Sequence, residues 1–267
     1  MSEFRNVPVP TSAPGHALTA RSVLLSVLLG TDPPRLPVAL LVSTTELFGI
    51  NEGTTRTALS RMAAKGEVRA DDGHYELASP RLLQRQHRQD RSRVGMTRPW
   101  QAGDPWVQAV VATSGARPAA ARAELRRSLL DARLAEWRDG VWIRPANLDG
   151  MTAVDDDSLV WGVVQLDTDP QHLAASLWAL DEWSDVASHL VDDMEALVPG
   201  LESSDHDVLA PGFVVSAAVL RQLQADPLLP SALLAADWPG VALRDAYGRF
   251  DTAYRGVLRD WFDAHRV

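Results

Sequence analysis

Five side chains on one short predicted helix have the chemistry to contact nucleic acid. Hydroxyl groups and arginines donate hydrogen bonds to phosphate oxygens, and an arginine in the major groove also reaches the edge of a guanine. The other residues on this side are small, so the helix can approach a groove closely. The five residues that we expect to contact DNA are Thr54, Arg56, Thr57, Ser60 and Arg61. The alternative is a helix with a purely structural role.

The pattern around this helix predicts the elements that position it. Thr19 is a good N-cap for a first amphipathic helix, which Gly30 ends. A second helix is predicted over 38–48. Asn51 is a good N-cap for the third helix, predicted over 52–65. The side of this third helix that we expect to pack on the other two carries Thr55, Ala58, Leu59 and Met62.

A hairpin is predicted directly after the third helix. Strands near 67–70 and 74–77 flank Asp72-Gly73, and Asp-Gly is a strong signal for a two-residue turn. Three helices and a hairpin in about 60 residues are typical of a winged helix-turn-helix. Arg69 and His74 lie on this predicted wing, where we expect contacts with phosphate or the minor groove.

The segment that follows is rich in arginine. Arg81 and Arg85 have helical spacing there, and Asp90 is the one acidic residue between 79 and 98. Backbone phosphates are the expected partner of these two arginines, and a merely solvated linker is the alternative.

Charge is distributed unevenly along the chain. The formal net charge is −9, which taken alone argues against a nucleic-acid partner. Residues 1–100, however, carry 13 basic and 9 acidic side chains, whereas residues 101–267 carry 13 and 26. A basic first third on an acidic body is typical of a DNA-binding domain attached to a sensing body.

The rest of the chain predicts two further domains. Strands over 107–112, 140–144 and 158–166, with a helix over 117–134, indicate a small α+β domain of ferredoxin-like type. Strand signals then end. The helices predicted in the last third span 170–197, 214–224 and 241–264.

We therefore expect an α+β multidomain chain with an N-terminal winged helix-turn-helix, a central ferredoxin-like domain and an α-helical C-terminal domain. The expected boundaries are a disordered tail over 1–16, the winged helix over 17–79, a basic linker over 80–99, the central domain over 100–168 and the helical domain over 169–267.

Catalytic patterns are absent from the sequence. The chain has no cysteine, and no pair of histidines has metal-ligand spacing on a helix. The acidic turn at 155–157 lacks the spaced ligands of a calcium loop. We expect no catalytic residues, no metal and no cofactor. Neither a signal peptide nor a membrane-spanning run is predicted, which favours a cytoplasmic protein.

Several segments, in order, resemble the PaaX-type repressors, the regulators of phenylacetic acid degradation. The segments are ARSVLL at 20–25, ELFGI at 46–50, RTALSRM at 56–62, GVWIRP at 140–145, DPLLP at 226–230 and DWPG at 237–240. The chain departs from the family pattern at 114–116, 221–225 and 234–236.

This resemblance implies a homodimeric repressor that binds a double-stranded DNA operator and releases it on binding an aryl-CoA thioester. A CoA ester is anionic, so its pocket needs arginine. We expect an aryl- or acyl-CoA to bind between the central and C-terminal domains, near Arg117, Arg126, Trp142 and Arg144. The alternative is that these arginines only neutralise the acidic helical domain. Four tryptophans favour the C-terminal domain as the dimer interface: Trp178, Trp183, Trp238 and Trp261.

Two other classes of function stay open. The central domain could be a metal-dependent nuclease, although 112–115, where the first strand ends, lacks the paired carboxylates that such an enzyme needs. A pure protein-interaction module is the other alternative, and it predicts no DNA binding at any salt concentration.

Overall fold

The structure is a computed structural model that describes residues 19–80, 82–83, 95, 97–112, 118–148 and 154–264. The chain is α+β, as the sequence predicts, with N-terminal helices, antiparallel sheets and C-terminal helices. It divides into two compact units. Unit 1 comprises Met1–Val94, Val186–Gln224 and Pro239–Val267, and unit 2 comprises Gly95–Asp185 and Ala225–Trp238. The tail predicted over 1–16 lies outside the described residues.

Unit 1 begins with the three predicted helices. They are α1 (Ala20–Leu29), α2 (Val38–Glu46) and α3 (Glu52–Ala64). The predicted N-caps are confirmed, because the side chains of Thr19 and Asn51 accept hydrogen bonds from the backbone of Ser22 and Thr54. The hydroxyls of Thr45 and Thr55 share a buried hydrogen bond of 2.6 Å, which ties α2 to α3.

A small antiparallel sheet follows, with the order β1-β3-β2. Its strands are β1 (Arg35–Pro37), β2 (Val68–Asp71) and β3 (His74–Leu77). The predicted hairpin is confirmed: Asp72 and Gly73 have φ angles of 42° and 70°, as a two-residue turn with both central residues left-handed requires. β1 was not predicted from the sequence. Leu24, Leu28 and Leu59 lie in the core beneath this sheet.

The C-terminal helices complete unit 1. They are α7 (Leu209–Ala225), α8 (Gly240–Ala264) and the part of α6 (Leu180–Glu202) that follows Asp185. Gly212 lets α7 approach α8 closely, because a Cβ there would lie 2.7 Å from the ring of Tyr254. The Tyr254 hydroxyl donates to the Leu209 carbonyl oxygen at 2.9 Å. Burial raises the pKa of Tyr254, so its hydroxyl stays protonated as a donor.

The N-terminal and C-terminal helices of unit 1 are joined by two specific contacts. The rings of Phe48 and Phe213 pack edge to face with centroids 4.9 Å apart. The Arg255 guanidinium donates at 3.0 Å to the carbonyl oxygen of Gly30, which ends α1. The negative end of the α1 dipole stabilises a cation at this position.

Unit 2 is built on a four-stranded antiparallel sheet with the order β5-β6-β4-β7. The strands are β4 (Trp106–Val111), β5 (Ala135–Arg138), β6 (Val141–Pro145) and β7 (Leu159–Val164). Ala109 on β4 pairs with Trp142 on β6 and with Trp161 on β7.

Both faces of the sheet are covered at β6, whereas Val160 and Val163 on the edge strand β7 are exposed. On one face, Leu125 and Leu129 of α4 (Ala119–Asp131) pack against Trp142. On the other, Ile143 packs with Leu173 of α5 (Pro170–Leu177) and with residues from the 225–238 segment. β6 is therefore buried along most of its length, and its one charged residue, Arg144, is buried with it.

Two parts of unit 2 differ from the sequence prediction. β5 was missed, and the helix predicted over 170–197 is two helices, because Trp178 adopts extended backbone (φ −122°, ψ 136°) between α5 and α6. Between β6 and β7 the described residues, 146–148 and 154–158, form no helix. The ferredoxin-like type of this domain stays a prediction.

One stretch in the described part of the chain, His206–Ala225, is long and apolar enough to cross a membrane by length and composition alone. It includes α7, which contributes Val215, Val219 and Leu223 to the interior of unit 1. Core helices of globular proteins pass the same test, so this evidence for a membrane span is weak.

Candidate nucleic-acid interface

The outward side of α3 carries the five residues expected to contact DNA. Its inward side is fixed by packing, because Thr55, Leu59 and Met62 are buried against the rest of unit 1. The opposite side is therefore left to solvent. The exposed residues there are Thr54, Arg56, Thr57, Ser60 and Arg61. The structure thus places the five together, and their contact with DNA stays a prediction.

The two arginines on this side differ in their partners. Arg56 is paired with Glu52, one turn earlier, at 2.7 Å. Among the residues that the structure describes, Arg61 has no carboxylate partner. Thr57 donates to the Gly53 carbonyl oxygen at 2.8 Å. Of the two arginines, Arg61 is therefore the one whose charge no carboxylate in the described part of the chain neutralises.

A groove of about 600 Å³ runs beside this side of α3. It is bordered by the start of α1 as well as by α3, and its cationic residues are Arg21, Arg61 and Lys65. Arg21 donates two hydrogen bonds to Glu67, at 2.7 and 3.0 Å. This contact holds the pKa of Glu67 below its usual value, although desolvation of the carboxylate acts in the opposite direction. We call this the recognition groove.

Sequence reasoning missed Arg21 as a member of this site. The packing of α1 on α3 brings Arg21 to this site. Its partner Glu67 is 46 residues away in the chain. Arg21 lies one turn before Leu24 and Leu25, which are buried, so the helical phase of α1 predicts neither the exposure of Arg21 nor its partner.

The wing residues predicted to contact DNA lie among carboxylates. Arg69 is paired with Glu76 on the neighbouring strand at 2.8 Å. The His74 ring donates through Nδ1 to the carbonyl oxygen of Asp72 at 2.8 Å. Asp71 on the hairpin is paired with Arg35 at 3.1 Å, and Asp72 adds a further carboxylate, so the described wing is less favourable to phosphate than α3. The contacts of Arg69 and His74 with DNA stay predictions, and Arg81 and Arg85 lie outside the described residues.

The residues predicted to bind an effector are not one cluster in the described structure. Arg117 lies outside the described residues. Arg126 stacks over the ring of Trp142 at 5.1 Å and is paired with Glu136. Trp142 itself is buried beneath α4. Arg126 and Trp142 are therefore adjacent, as predicted, but only Arg126 is exposed to a ligand.

Arg144 is fully buried and holds unit 2 together. Its guanidinium donates to the carbonyl oxygens of Arg133 and Leu228 and, at 2.8 Å, to the Asn147 side chain. Asn147 donates to Leu228 as well, at 2.9 Å. Burial lowers the pKa of Arg144 to about 9, so it stays charged at neutral pH. These contacts fix the DPLLP turn to β6.

Three of the four tryptophans expected at a dimer interface pack on other aromatic rings inside the protein. Trp183 is buried and stacks on Trp238 with ring centroids 4.5 Å apart. Trp261 is buried against Phe262. These contacts remove the aromatic reason for placing the interface on these side chains, and the homodimer stays a prediction.

Metal-ligating groups do not converge in the parts of the chain that the structure describes, where no set of three His, Asp or Glu side chains could hold an ion. The nuclease alternative gains no support from this geometry. The residues 113–117 that follow β4 are outside the described ranges.

Comparisons with known proteins place the chain in a family. A model of the PaaX-like protein family matches residues 19–80, and a model of the PaaX-like protein C-terminal domain matches residues 178–264. The structure of "Uncharacterized protein Rv0674 from Mycobacterium tuberculosis" is 41% identical, with a TM-score of 0.68 over 91% of this chain and 98% of that one. A search of curated proteins finds no match. The chain therefore belongs to the PaaX-like family, whose members are transcriptional regulators.

Proposed function

We propose that this protein is a homodimeric transcriptional repressor whose first three helices and hairpin act as a winged helix-turn-helix. In this proposal α3 is the recognition helix and lies in the major groove of a double-stranded operator. The observation that carries the proposal is the exposed side of α3, where Arg61 has no carboxylate partner among the described residues and lies beside the recognition groove.

The two kinds of DNA contact are divided among different residues. Thr54, Thr57 and Ser60 are short donors suited to phosphate oxygens close to the helix. Arg61 is long enough to reach a guanine edge with two hydrogen bonds. Arg56 has to exchange its contact with Glu52 for one with DNA, so we expect it to contribute less than Arg61.

The Arg21–Glu67 pair supports this assignment from the other side of the groove. Glu67 is the one carboxylate among the described residues that line the groove, and Arg21 neutralises it. The remaining charge comes from Arg61 and Lys65 and is positive. A positive groove beside a small, hydroxyl-bearing helix surface suits a phosphate backbone.

A homodimer follows from the way such modules read DNA. Two copies related by a two-fold axis read an inverted repeat whose half-sites are about 10 base pairs, or one helical turn, apart. Two-fold dimers are also the commonest oligomers. Light scattering on the full chain at micromolar concentration should give a mass near two chains, and a mass near one chain would contradict the dimer.

Release of DNA by a small effector completes the proposal. The aryl- or acyl-CoA implied by the family resemblance rests on the resemblance, because the described geometry buries Arg144 and Trp142. Arg126 is the described member of the predicted set that such a ligand can still reach.

Fluorescence anisotropy with duplex DNA tests the DNA-binding part of this proposal. The full-length protein should bind random duplex at low salt, with a log affinity that falls linearly with log salt concentration. Arg61→Ala should weaken binding, whereas Arg259→Ala, at an exposed position on α8, serves as the matched control and should not. Absence of binding at 50 mM salt would contradict the proposal.

A further inference from the structure

Unit 1 contains a partly open cavity of about 340 Å³ between its N-terminal and C-terminal helices. α1 and α2 form one wall, and α7 and α8 form the other. The volume lies at the small end of the range for ligand sites. Apart from Arg21, none of the residues used for DNA binding lines this cavity.

The interior of the cavity suits a flat apolar group. Phe48 and Phe213, which meet edge to face across it, are joined in the lining by Phe262, Leu220 and Leu258. Aromatic rings packed this way offer both faces and edges to a further ring. The expected ligand therefore has an aromatic body.

The charged residues of the cavity favour an anion. Its lining includes Arg21, Arg221 and Arg255 but a single carboxylate, that of Asp251. Arg255 is paired with Asp251 at 2.8 Å, and Arg21 is paired with Glu67. Arg221 is exposed on α7 and has no partner among the residues that the structure describes. One cation is thus left for a ligand.

We propose that this cavity binds a small aromatic carboxylate, with the ring against Phe48 and Phe213 and the carboxylate paired with Arg221. The CoA part of a thioester would lie outside this cavity, and the thioester group itself carries no charge to pair with Arg221. Arg221 also belongs to the segment 221–225, where the sequence departs from the family pattern. This inference rests on the part of the proposed function in which a small effector releases the DNA, and it assigns that role to a free aromatic carboxylate in place of the aryl- or acyl-CoA.

Two contacts couple the cavity to the recognition groove. Arg21 lines both of them. Arg255, on the opposite wall, donates to Gly30 at the end of α1. A ligand between the walls changes the surroundings of α1, which packs on α3 in the core of unit 1. Ligand binding therefore alters the affinity of the protein for DNA.

Isothermal titration of the full-length protein with 2-naphthoate and with neutral 2-naphthamide tests the site. The acid should bind at least about tenfold more tightly than the amide, because a charge-assisted hydrogen bond is lost in the amide. Arg221→Gln should remove this preference, whereas the control Arg259→Gln should keep it. Equal binding of the acid by wild type and Arg221→Gln would overturn the proposal, as would no binding of the acid by wild type.

A second variant tests the location of the site. Ala217 lines the cavity on α7, and Ala217→Phe should fill it and abolish binding of both compounds while the helical circular dichroism is kept. Unchanged binding in a folded variant would overturn the location. If this variant fails to fold, the Arg221→Gln comparison decides alone. Binding of 2-naphthoyl-CoA without binding of the free acid would overturn the ligand class.

The inference and the proposed function fail separately. DNA binding of the protein without ligand depends on α3 and needs no occupant in the cavity. A protein that binds duplex DNA but no aromatic carboxylate contradicts the inference alone. A protein that binds the carboxylate through Arg221 but no DNA contradicts the proposed function.

Discussion

Arg21 on α1 holds Glu67, one residue before β2, with two hydrogen bonds of 2.7 and 3.0 Å. The contact joins the first helix to the hairpin across 46 residues of sequence. It also neutralises a carboxylate on the wall of the recognition groove, beside the exposed side of α3. This ion pair therefore contributes both to the packing of unit 1 and to the charge of the recognition groove.

The Arg21–Glu67 pair makes a pH-dependent contribution to stability. Arg21 lowers the pKa of Glu67 in the folded state. The contribution is thus fully present above the unfolded pKa of about 4.3 and is lost as the pH falls through the folded-state pKa. Glu67→Gln should destabilise the protein by less than about 1 kcal/mol at pH 7, because the pair is partly exposed. Urea unfolding should show this difference shrinking towards pH 3, and a difference that grows on acidification would be inconsistent with it.

Arg69 on the wing should contribute less to DNA affinity than Arg61 on α3. Arg61→Ala should cost about 1–3 kcal/mol at a specific site if the arginine pairs with a base edge. Arg69→Ala should cost less than about 1 kcal/mol of binding free energy, because Glu76 already neutralises the charge of Arg69 in the free protein. The lost pair itself is exposed and contributes little to stability. Gel-shift titrations at one salt concentration measure both, and a larger loss for Arg69→Ala would argue for the wing as the main contact.

Arg85 is expected to contact the phosphate backbone rather than bases. Arg85→Ala should therefore weaken binding to all duplex sequences alike and reduce the slope of log affinity against log salt by about one unit. Anisotropy titrations between 50 and 300 mM salt, on a specific and a random duplex, provide the measurement. An unchanged slope would mean that this arginine is only solvated.

Arg144 should be a stability residue. Arg144→Met leaves the carbonyl oxygen of Arg133 without this donor inside unit 2, and we expect a loss of about 3–5 kcal/mol in the free energy of unfolding. Arg127→Met, at an exposed position on α4, is the control and should change stability by less than about 0.5 kcal/mol. Similar urea midpoints for the two variants would contradict the role assigned to Arg144.

Gly212 should be required for the packing of α7 on α8. Gly212→Ala places a Cβ 2.7 Å from the Tyr254 ring, and we expect a loss of about 1–3 kcal/mol from overpacking. Gly248 on α8 has no atom within 4 Å of the equivalent Cβ, so Gly248→Ala should stabilise the protein by about 0.5–1 kcal/mol. Thermal denaturation of both variants gives the comparison, and the same sign for both would refute it.

Local signals made the N-terminal elements predictable. The helix caps and the hairpin turn depend on contacts between residues at most a few positions apart, so the sequence shows them directly. They are formed by Thr19, Asn51 and Asp72-Gly73. β1 was missed because it is three residues long, ends in proline and exists only through its pairing with β3, nearly 40 residues later. The break between α5 and α6 at Trp178 could not be predicted either, because the apolar residues keep a helical period on both sides of it.

The candidate site was predictable only in part. The phase of α3 sorts its residues into a buried and an exposed side, and the pairing of Arg56 with Glu52 is readable from their spacing of four. The pairing of Arg69 with Glu76 follows from the register of the hairpin. Glu67, the partner of Arg21, lies 46 residues away, and Leu228, one of the partners of Arg144, lies 84 residues away. No local pattern contains these two contacts.

Selection of bound sequences from a randomised duplex library tests the central claim, that α3 reads bases through Arg61. The wild-type protein should enrich an inverted repeat with half-sites about one helical turn apart and a guanine at a fixed position in each half. Arg61→Ala should lose the preference for that guanine while it keeps weaker binding to the rest of the site. Enrichment of the same sequence, with the same guanine preference, by wild type and Arg61→Ala would contradict the claim.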